Sequence, residues 1–361
     1  MSITLDDLRR YAVARTLFPP TTLQRALDRL GFVQADPIRA PARAQDLTLR
    51  HRVRGYRAGD LERRYPDLAI EEDVFVNYGF LPRAVHGLMH PRSGPLPWTR
   101  SRNKQVDSIL AFVRERGLVH PREADDYFSH GRVTNFWGGS SNATTHMMEL
   151  MHYRGLLRVV RRDRGIRVYA AHEHAPRPDD GVASRAQLDA LVDLAVRAYA
   201  PLTASGLAFL VSRLRYAAPH LRRDLRAALG RAKERLAHAR VDGIDWYWPG
   251  KERLPRDRRD DTVRLLSPFD PIVWDRGRFE ILWGWAYRFE AYTPLPKRKL
   301  GYYALPLLWR DRVIGWGNLS VTDGVLRAEL GYVDRKRPSD RTFVRELDAE
   351  LDRIRVFLRL A

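Results

Sequence analysis

The 361-residue sequence has no cysteine, which excludes disulfide bonds, thiolate zinc sites and cysteine nucleophiles. It has no apolar run long enough to span a bilayer. Its first residues, Met-Ser-Ile-Thr-Leu-Asp-Asp, lack the basic and apolar stretches of a secretory signal peptide. These absences predict a cytoplasmic protein that does not work at a membrane.

Lysine is also scarce, and arginine therefore carries most of a formal net charge of +19. An excess of this size favours a polyanionic partner, and the planar guanidinium group suits phosphates and base edges. We therefore expect a nucleic acid as the partner of this chain, and the winged-helix order of residues 102–174 favours double-stranded DNA. An arginine-rich coding bias with a solvated surface is the alternative explanation of the same composition.

The length and the composition, with 44% hydrophobic and 30% charged residues, fit several small globular domains. The predicted fold class is α+β, with tandem winged-helix modules and a β-rich C-terminal part. Charged or Pro- and Gly-rich stretches at residues 92–101 and 251–261 are predicted linkers. The predicted parts are residues 1–91, 102–174, 182–250 and 262–361.

Caps and apolar periodicity predict the helices, and turn signals between β-like segments predict the strands. The predicted helices are residues 4–17, 21–30, 103–116, 121–128, 142–153, 184–199, 203–215, 219–238 and 341–359. The predicted strands are residues 156–160, 167–171, 302–309, 312–318 and 325–330, with a further short hairpin over residues 241–248.

The second part has the order of a winged helix: three helices followed by a β-hairpin that turns at Asp163-Arg164-Gly165. Such a module often lays its third helix in the major groove of DNA. Arg161, Arg162 and Arg164 give the hairpin a charge suited to phosphate contacts. A winged helix used only for packing or protein contact is the alternative.

The tripeptide Gln34-Ala35-Asp36 follows Gly31 in a short segment predicted to be extended. In a strand the side chains of Gln34 and Asp36 project to the same face. Such a pair can hold a water molecule and stabilise a sugar cation, although Asp36-Pro37 also fits an ordinary turn. A basic stretch follows the motif, with predicted DNA contacts at Arg39, Arg43, Arg50 and His51.

Three other motifs are weaker. His86 and His90 have helical i, i+4 spacing, and His172 and His174 are close in sequence. Each pair alone is an incomplete ligand set, so we predict no metal site. Ser140-Ser141 lacks the lysine of a Walker motif, which argues against a nucleotide cofactor. Lys297-Arg298-Lys299 is either a solvated turn or a phosphate clamp.

The C-terminal part resembles the winged-helix DNA glycosylases of the AlkZ/YcaQ type, a crosslink-repair family. The resemblance is carried by Leu-Leu-Ser-Pro-Phe-Asp-Pro-Ile-Val-Trp-Asp-Arg at residues 265–276, Tyr-Arg-Phe-Glu at 287–290 and Tyr-Thr-Pro-Leu-Pro-Lys-Arg-Lys-Leu-Gly-Tyr at 292–302. It extends across most of the chain, although the middle matches mainly by pattern.

The resemblance implies tandem winged helices and removal of N-alkylated bases, notably bulky N7-alkylguanine adducts and interstrand crosslinks. One branch of the family carries Gln-x-Asp as its active-site signature, which Gln34 and Asp36 match. The implied enzyme is a monofunctional glycosylase in which Asp36 stabilises an oxocarbenium-like sugar while Gln34 positions water. No lysine, the nucleophile of a Schiff-base mechanism, lies near the motif in sequence. We expect a monomer without a cofactor.

The chain departs from the repair enzymes at two places. Val-Phe-Val-Asn at residues 74–77 replaces Trp-x-His-Glu, and Trp-Gly-Asn-Leu-Ser at 316–320 replaces Arg-x-Asp-x-Lys. Both changes remove polar groups that could contact DNA or the lesion. Two other classes therefore stay open at this point: a non-catalytic winged-helix DNA-binding protein or regulator, and a partner-binding module.

Overall fold

The computed structural model describes residues 3–92, 97–134, 138–174, 180–254 and 260–360. These ranges contain helices and mainly antiparallel strands, as the predicted class requires. The helices are α1 Leu5–Thr16, α2 Leu23–Leu30, α3 Ala44–Leu49, α4 Asp60–Arg64, α5 Arg83–Met89, α6 Arg100–Arg116, α7 Pro121–Phe128, α8 Ala143–Arg154, α9 Gly181–Tyr199, α10 Ala204–Ala217, α11 Leu225–Arg235, α12 Arg276–Trp283 and α13 Arg341–Leu358. Among them, none combines the length and the apolar character needed to cross a membrane.

The strands are short, except in the C-terminal part. They are β1 Val33–Gln34, β2 Ile70–Val74, β3 Tyr78–Pro82, β4 Arg132–Thr134, β5 Ser140–Asn142, β6 Leu157–Asp163, β7 Ile166–Ala171, β8 Leu202–Thr203, β9 Ala237–Val241, β10 Ile244–Trp248, β11 Val263–Leu265, β12 Leu305–Trp309, β13 Arg312–Thr322 and β14 Val325–Tyr332. Strands β11 to β14 form one sheet in sequence order, and β8, β10 and β9 form another. The pairs β2–β3, β4–β5 and β6–β7 are antiparallel.

The chain divides into two units. Unit 1 comprises Met1–Leu61, Val192–Leu210 and Leu229–Ala361, and unit 2 comprises Glu62–Leu191 and Val211–Ala228. This division follows contacts within the chain rather than sequence order, so it does not coincide with the four predicted parts, which stay a prediction as domains. Residues 93–96 of the first predicted linker and 255–259 of the second lie outside the described ranges.

In unit 1, the sheet β11–β14 is covered by helix α13. Asp340 caps this helix, and Phe343, Leu347, Ile354 and Phe357 are buried along one of its faces. The ring of Phe343 lies 5.2 Å from that of Trp309 on β12, centroid to centroid. The C-terminal part therefore has its own core, built from one helix face and one sheet face.

A buried ion pair joins three segments of unit 1. Arg52 and Asp270 are both fully buried, and they form two parallel hydrogen bonds of 2.8 and 3.0 Å. Arg52 also donates to the carbonyl groups of Thr16, at the end of α1, and Thr48, in α3. The pair thus fixes the turn after β11 against the N-terminal helices.

In unit 2, the predicted order of three helices and a hairpin is present in α6, α7, α8 and β6–β7. Between α6 and α7, Val119 pairs with Tyr169 of β7 through two backbone hydrogen bonds. Two buried carboxylates of β2, Glu71 and Glu72, face this hairpin and accept hydrogen bonds from its arginines. The sequence did not predict the short pair β4–β5, whose intervening residues 135–137 lie outside the described ranges.

Most predicted helix bounds agree with the structure to within three residues, but the prediction of a single helix over residues 219–238 was wrong. It begins as a 3₁₀ helix at Pro219–Asp224, continues as α11, and has already become strand β9 at Ala237. The apolar periodicity of residues 219–238 does not reveal the change from 3₁₀ helix to α-helix to strand. The 3₁₀ helix and the strand also place apolar residues toward the interior, as an α-helix would.

Replacing Asp270 by Ala is expected to lower the free energy of unfolding by about 3–5 kcal/mol, because it leaves Arg52 buried without its counter-charge. Urea denaturation followed by circular dichroism measures this loss. The control Asp352→Ala removes a side chain that is 69% exposed in a pair with Arg355 on the surface of α13, and it should cost about 0.5 kcal/mol or less. Equal losses in the two variants would contradict a special role for the buried pair.

Candidate active site

The Gln34-Ala35-Asp36 segment begins where helix α2 ends. Gly31 closes α2 in the left-handed conformation, with φ of +72°, and a Cβ there would lie 3.2 Å from Leu194. The buried Phe32 and Val33 then anchor strand β1, which ends at Gln34. Asp36 consequently lies just beyond the strand, and the strand alternation that predicted a shared face does not extend to it.

The amide of Gln34 is oriented by an indole. Gln34 is only 7% exposed, and its Oε1 accepts a 2.9 Å hydrogen bond from Nε1 of Trp274. Trp274 in turn packs beside Tyr199 and Phe209, with ring centroids 4.8 and 5.9 Å away. Because Oε1 is already engaged, the amide NH₂ group is the part of Gln34 left to donate to a further ligand.

The backbone around Asp36 is held at two points. Its N–H donates to Oε1 of the buried Gln45 over 3.2 Å, and its Oδ1 accepts from the N–H of Ile38 over 2.9 Å. The second contact is an Asx turn, so the turn predicted at Asp36-Pro37 is present together with the candidate catalytic carboxylate. Among the described residues, none donates a hydrogen bond to Oδ2.

Partial burial changes the acidity of this carboxylate. Desolvation raises the pKa of Asp36, and the hydrogen bond from Ile38 opposes the increase. Burial also raises the pKa of Tyr292 and of Tyr303, and the negative charge of Asp36 adds to both increases. The two phenols therefore lie within electrostatic range of Asp36 and stay neutral.

The segment 292–302, here termed the basic loop, is held from within. The buried Glu290 accepts hydrogen bonds from the N–H groups of Lys299 and Leu300, over 2.9 and 2.7 Å. Arg298 donates to the carbonyl of Thr293, and Asn318 donates to that of Leu300. These contacts leave Lys297 and Lys299 exposed, while Arg298 is half-buried. The loop begins at Tyr292, which is 80% exposed.

The predicted DNA contacts that follow the motif separate into two pairs. Arg39 is exposed, and Arg43 lies at the start of α3, where its charge acts on Asp46. Arg50 is instead paired with the buried Glu350 and donates to the carbonyl of Leu265. His51 contacts the same carbonyl, and burial followed by the charge of Arg50 keeps its pKa well below the usual value. A DNA contact through Arg50 or His51 does not fit these internal roles.

Arg50 and His51 nevertheless line a cavity of about 550 Å³ in unit 1. Other guanidinium groups share its wall. They belong to Arg54, Arg57, Arg264 and Arg353. This cavity involves neither Gln34 nor Asp36 among its lining residues.

The arginines of the hairpin β6–β7 also have different roles. Arg162 makes two hydrogen bonds to the buried Glu72, and despite the opposing effect of burial this contact lowers the pKa of Glu72 to about 2. A phosphate contact through Arg162 therefore does not fit the structure. Arg161 is bound to Asp163 only near the surface, and Arg164 is exposed at the turn. These two remain candidates for DNA contacts.

Both departures from the repair enzymes have become packing positions. Phe75 and Val76 are fully buried between β2 and β3. On β13, Trp316 lies 6.0 Å from Trp285, and Asn318 holds the basic loop. The lost polar groups are thus replaced by contacts that support the fold.

Sequence reasoning did not identify Gln45 and Trp274 as parts of the site. Tryptophans lie in the core more often than in a binding site, so the residue type of Trp274 gives no functional signal. The sequence offered one signal for Trp274, because it lies in the block at residues 265–276 that carries the family resemblance. No local pattern connects that block to residue 34. The four histidines at 86, 90, 172 and 174, taken as two separate pairs in the sequence, form one cluster in unit 2.

Replacing Asp36 by Asn should stabilise the protein at neutral pH. A carboxyl group whose pKa is higher in the folded state than in the unfolded state favours folding in its neutral form. This contribution to the free energy of unfolding is fully present below the unfolded-state pKa of about 3.9, and it is lost as the pH rises through the folded-state pKa. The Asn variant avoids that loss, so its melting temperature should exceed that of the wild type at pH 7.5, with a smaller difference at pH 4.5. The control Asp28→Asn removes an exposed carboxylate of α2 and should show no such pH dependence.

Comparisons with known proteins identify the family of this chain. The family model described as "DNA glycosylase AlkZ-like" matches residues 27–357. The fold is similar to that of the solved structure of Streptomyces sahachiroi DNA glycosylase AlkZ, with a TM-score of 0.64, 15% sequence identity, and coverage of 99% of this chain and 97% of that one. Because the family model spans nearly the whole sequence, including Gln34 and Asp36, the chain belongs to the AlkZ-like DNA glycosylase family.

Proposed function

We propose that this glycosylase hydrolyses the N-glycosidic bond of N7-alkylated guanine in duplex DNA, with Asp36 as the catalytic carboxylate and Gln34 as its partner. The observation that supports the proposal most is the fixed orientation of Gln34. Its Oε1 is engaged by Trp274, and Asp36, two residues later, keeps one carboxylate oxygen without a donor among the described residues. An amide N–H donor and a carboxylate acceptor are thereby presented close together in the chain.

The chemistry needs only these two groups and water. Alkylation at N7 makes guanine cationic, so the base leaves without being protonated. A partly buried carboxylate stabilises the positive charge that develops on the sugar more strongly than a solvated one. The amide NH₂ of Gln34 donates to a water molecule whose proton passes to Asp36 as its oxygen bonds to C1′. The electron pair of the broken C1′–N9 bond stays on the base.

The basic loop is suited to position DNA beside Asp36. Lys297 and Lys299 offer exposed positive charges to phosphates, and the internal hydrogen bonds to Glu290 mean that little order has to be gained on binding. Tyr292 at the start of the loop presents an exposed aromatic ring on which a base can stack. This arrangement favours a bulky lesion read at an open surface over a small base enclosed in a deep pocket.

We assign a second DNA contact to unit 2 as a winged helix. Its three helices, α6, α7 and α8, precede the hairpin β6–β7, and the pairing of Val119 with Tyr169 adds the third strand position of such modules. Arg161 and Arg164 would contact phosphate from the hairpin, while Arg39 would do so near the active site. Arg162 is excluded from this set because Glu72 already binds it.

The substitution Asp36→Asn should abolish most excision while leaving DNA binding intact. Loss of the carboxylate removes both charge stabilisation and proton acceptance, for which we expect a rate about 10²–10⁴-fold lower. The measurement is single-turnover formation of abasic sites on a duplex with one N7-methylguanine, with binding followed by fluorescence anisotropy. Asp28→Asn makes the same change of net charge on α2 and should retain the wild-type rate.

Retained excision by Asp36→Asn would contradict the assignment of Asp36. If the wild type forms no abasic sites on this duplex, a second duplex with an N7-linked guanine crosslink tests the bulky end of the same substrate class. Inactivity of the wild type on both duplexes would overturn the proposed substrate.

The double substitution Lys297→Ala/Lys299→Ala should weaken DNA binding and reduce its dependence on salt. Each phosphate contact contributes about 0.9 to the slope of log K against log salt concentration, so the slope should fall by about 1.8. Lys251→Ala/Lys336→Ala removes two other exposed lysines and makes the same change of net charge. Titrations at several salt concentrations compare the pairs, and equal slopes would exclude the basic loop as a phosphate contact.

A further inference from the structure

Four imidazoles and one carboxylate meet in unit 2, in a cluster that the glycosylase chemistry does not use. His86 lies in helix α5 and His90 just after it, whereas His172 and His174 follow strand β7. The ring centroids of His86 and His90 lie 4.2 Å apart, those of His90 and His174 4.7 Å, and those of His172 and His174 4.1 Å. The tertiary structure thus joins two histidine pairs that are incomplete ligand sets on their own.

The nitrogens of this cluster converge. His86, His172 and His174 can each offer one ligand atom so that all three atoms lie within 4.8 Å of one another. Nitrogens bound to a tetrahedral Zn²⁺ at about 2.0–2.1 Å lie roughly 3.4 Å apart. Rotation of the half-buried side chains of His172 and His174 can shorten the nitrogen–nitrogen distances of the cluster to those around a bound Zn²⁺.

Asp73 is placed as an orienting group. Its Oδ2 lies 2.6 Å from Nε2 of His90 and 3.2 Å from Nε2 of His86, and its Oδ1 accepts from Arg92 over 2.8 Å. A carboxylate that binds one ring nitrogen fixes the tautomer and turns the other nitrogen toward a metal. In His90 that other nitrogen, Nδ1, is buried and has no hydrogen-bond partner among the described residues.

Gly155 lets two of these rings approach the backbone closely. A Cβ at this position would lie 2.4 Å from Nδ1 of His90 and 2.5 Å from Nε2 of His174. Nε2 of His174 lies 2.9 Å from the carbonyl oxygen of Gly155, and a donated hydrogen bond there leaves Nδ1 of His174 as its ligand atom. Nδ1 of His172 is a second buried nitrogen with no partner in the described ranges, and such atoms are costly unless something binds them.

We propose that His86, His172 and His174, with Nδ1 of His90 beside them, bind one Zn²⁺ ion, and that Asp73 orients His86 and His90. Imidazole donors without thiolates suit this ion. The metal would connect the segment after β7 to helix α5, so its role is to stabilise unit 2 rather than to take part in base removal.

The test uses untagged full-length protein, dialysed against EDTA and then equilibrated with ZnCl₂ alone. After removal of excess metal, elemental analysis should find one Zn²⁺ per chain in the wild type. His172→Ala/His174→Ala should weaken Zn²⁺ binding by more than about 100-fold, beyond the effect of losing an orienting group. The matched control His146→Ala/His238→Ala removes two half-exposed histidines from carboxylate pairs elsewhere and should bind Zn²⁺ like the wild type.

A second measurement uses Co²⁺ as a spectroscopic probe of the metal-free wild type. Co²⁺ added to the metal-free wild type should give the visible absorption of a tetrahedral nitrogen-bound ion, and ZnCl₂ should abolish it. Zinc should also raise the melting temperature of the wild type and leave that of the double variant unchanged, since binding to the folded state alone stabilises it. Substoichiometric zinc in the wild type without a tetrahedral cobalt spectrum, or equal zinc binding by the double variant and the control, would overturn the proposal.

Discussion

The candidate active site depends on the buried ion pair between Arg52 and Asp270. Asp270 accepts the N–H of Ile272 through its side chain, and its backbone carbonyl accepts those of Val273 and Trp274. The turn that carries Trp274 is therefore built around the same carboxylate that neutralises Arg52. Because Arg52 also binds the carbonyl groups of Thr16 and Thr48, the indole that orients Gln34 is fixed relative to the N-terminal helices. Loss of the ion pair would therefore disturb the orientation of the Gln34 amide, although neither Arg52 nor Asp270 contacts it.

The positive charge of this chain is divided between neutralising its own buried carboxylates and the DNA contacts that we propose. Arg52, Arg158 and Arg162 neutralise buried carboxylates at Asp270, Glu71 and Glu72. A buried carboxylate without such a partner would be strongly destabilising. Exposed cations such as Lys297 and Lys299 in the basic loop and Arg164 at the hairpin turn are available for the phosphate contacts that we propose. Net charge thus indicates a polyanionic partner but does not show which arginines contact it.

The two departures from the repair enzymes have structural explanations. Residues 74–77 contribute buried Phe75 and Val76, and residues 316–320 contribute Asn318, which holds the basic loop. Polar groups have been exchanged for packing at the first place and for loop support at the second. Neither stretch includes Gln34, Asp36 or Trp274, so the residues of the proposed chemistry are in place.

The sequence by itself determined most helices and strands, the end of α2 at Gly31, and the identity of the two candidate catalytic residues. Caps, turns and apolar periodicity act over a few residues, so they can be read locally, and the Gln-x-Asp signature is local as well. Only the tertiary structure decided that Trp274 orients Gln34 from 240 residues away, that Arg162 binds Glu72, and that two histidine pairs share one cluster. Each of these contacts depends on which faces pack together. Burial and long-range packing set those partners, and no short stretch of sequence encodes them.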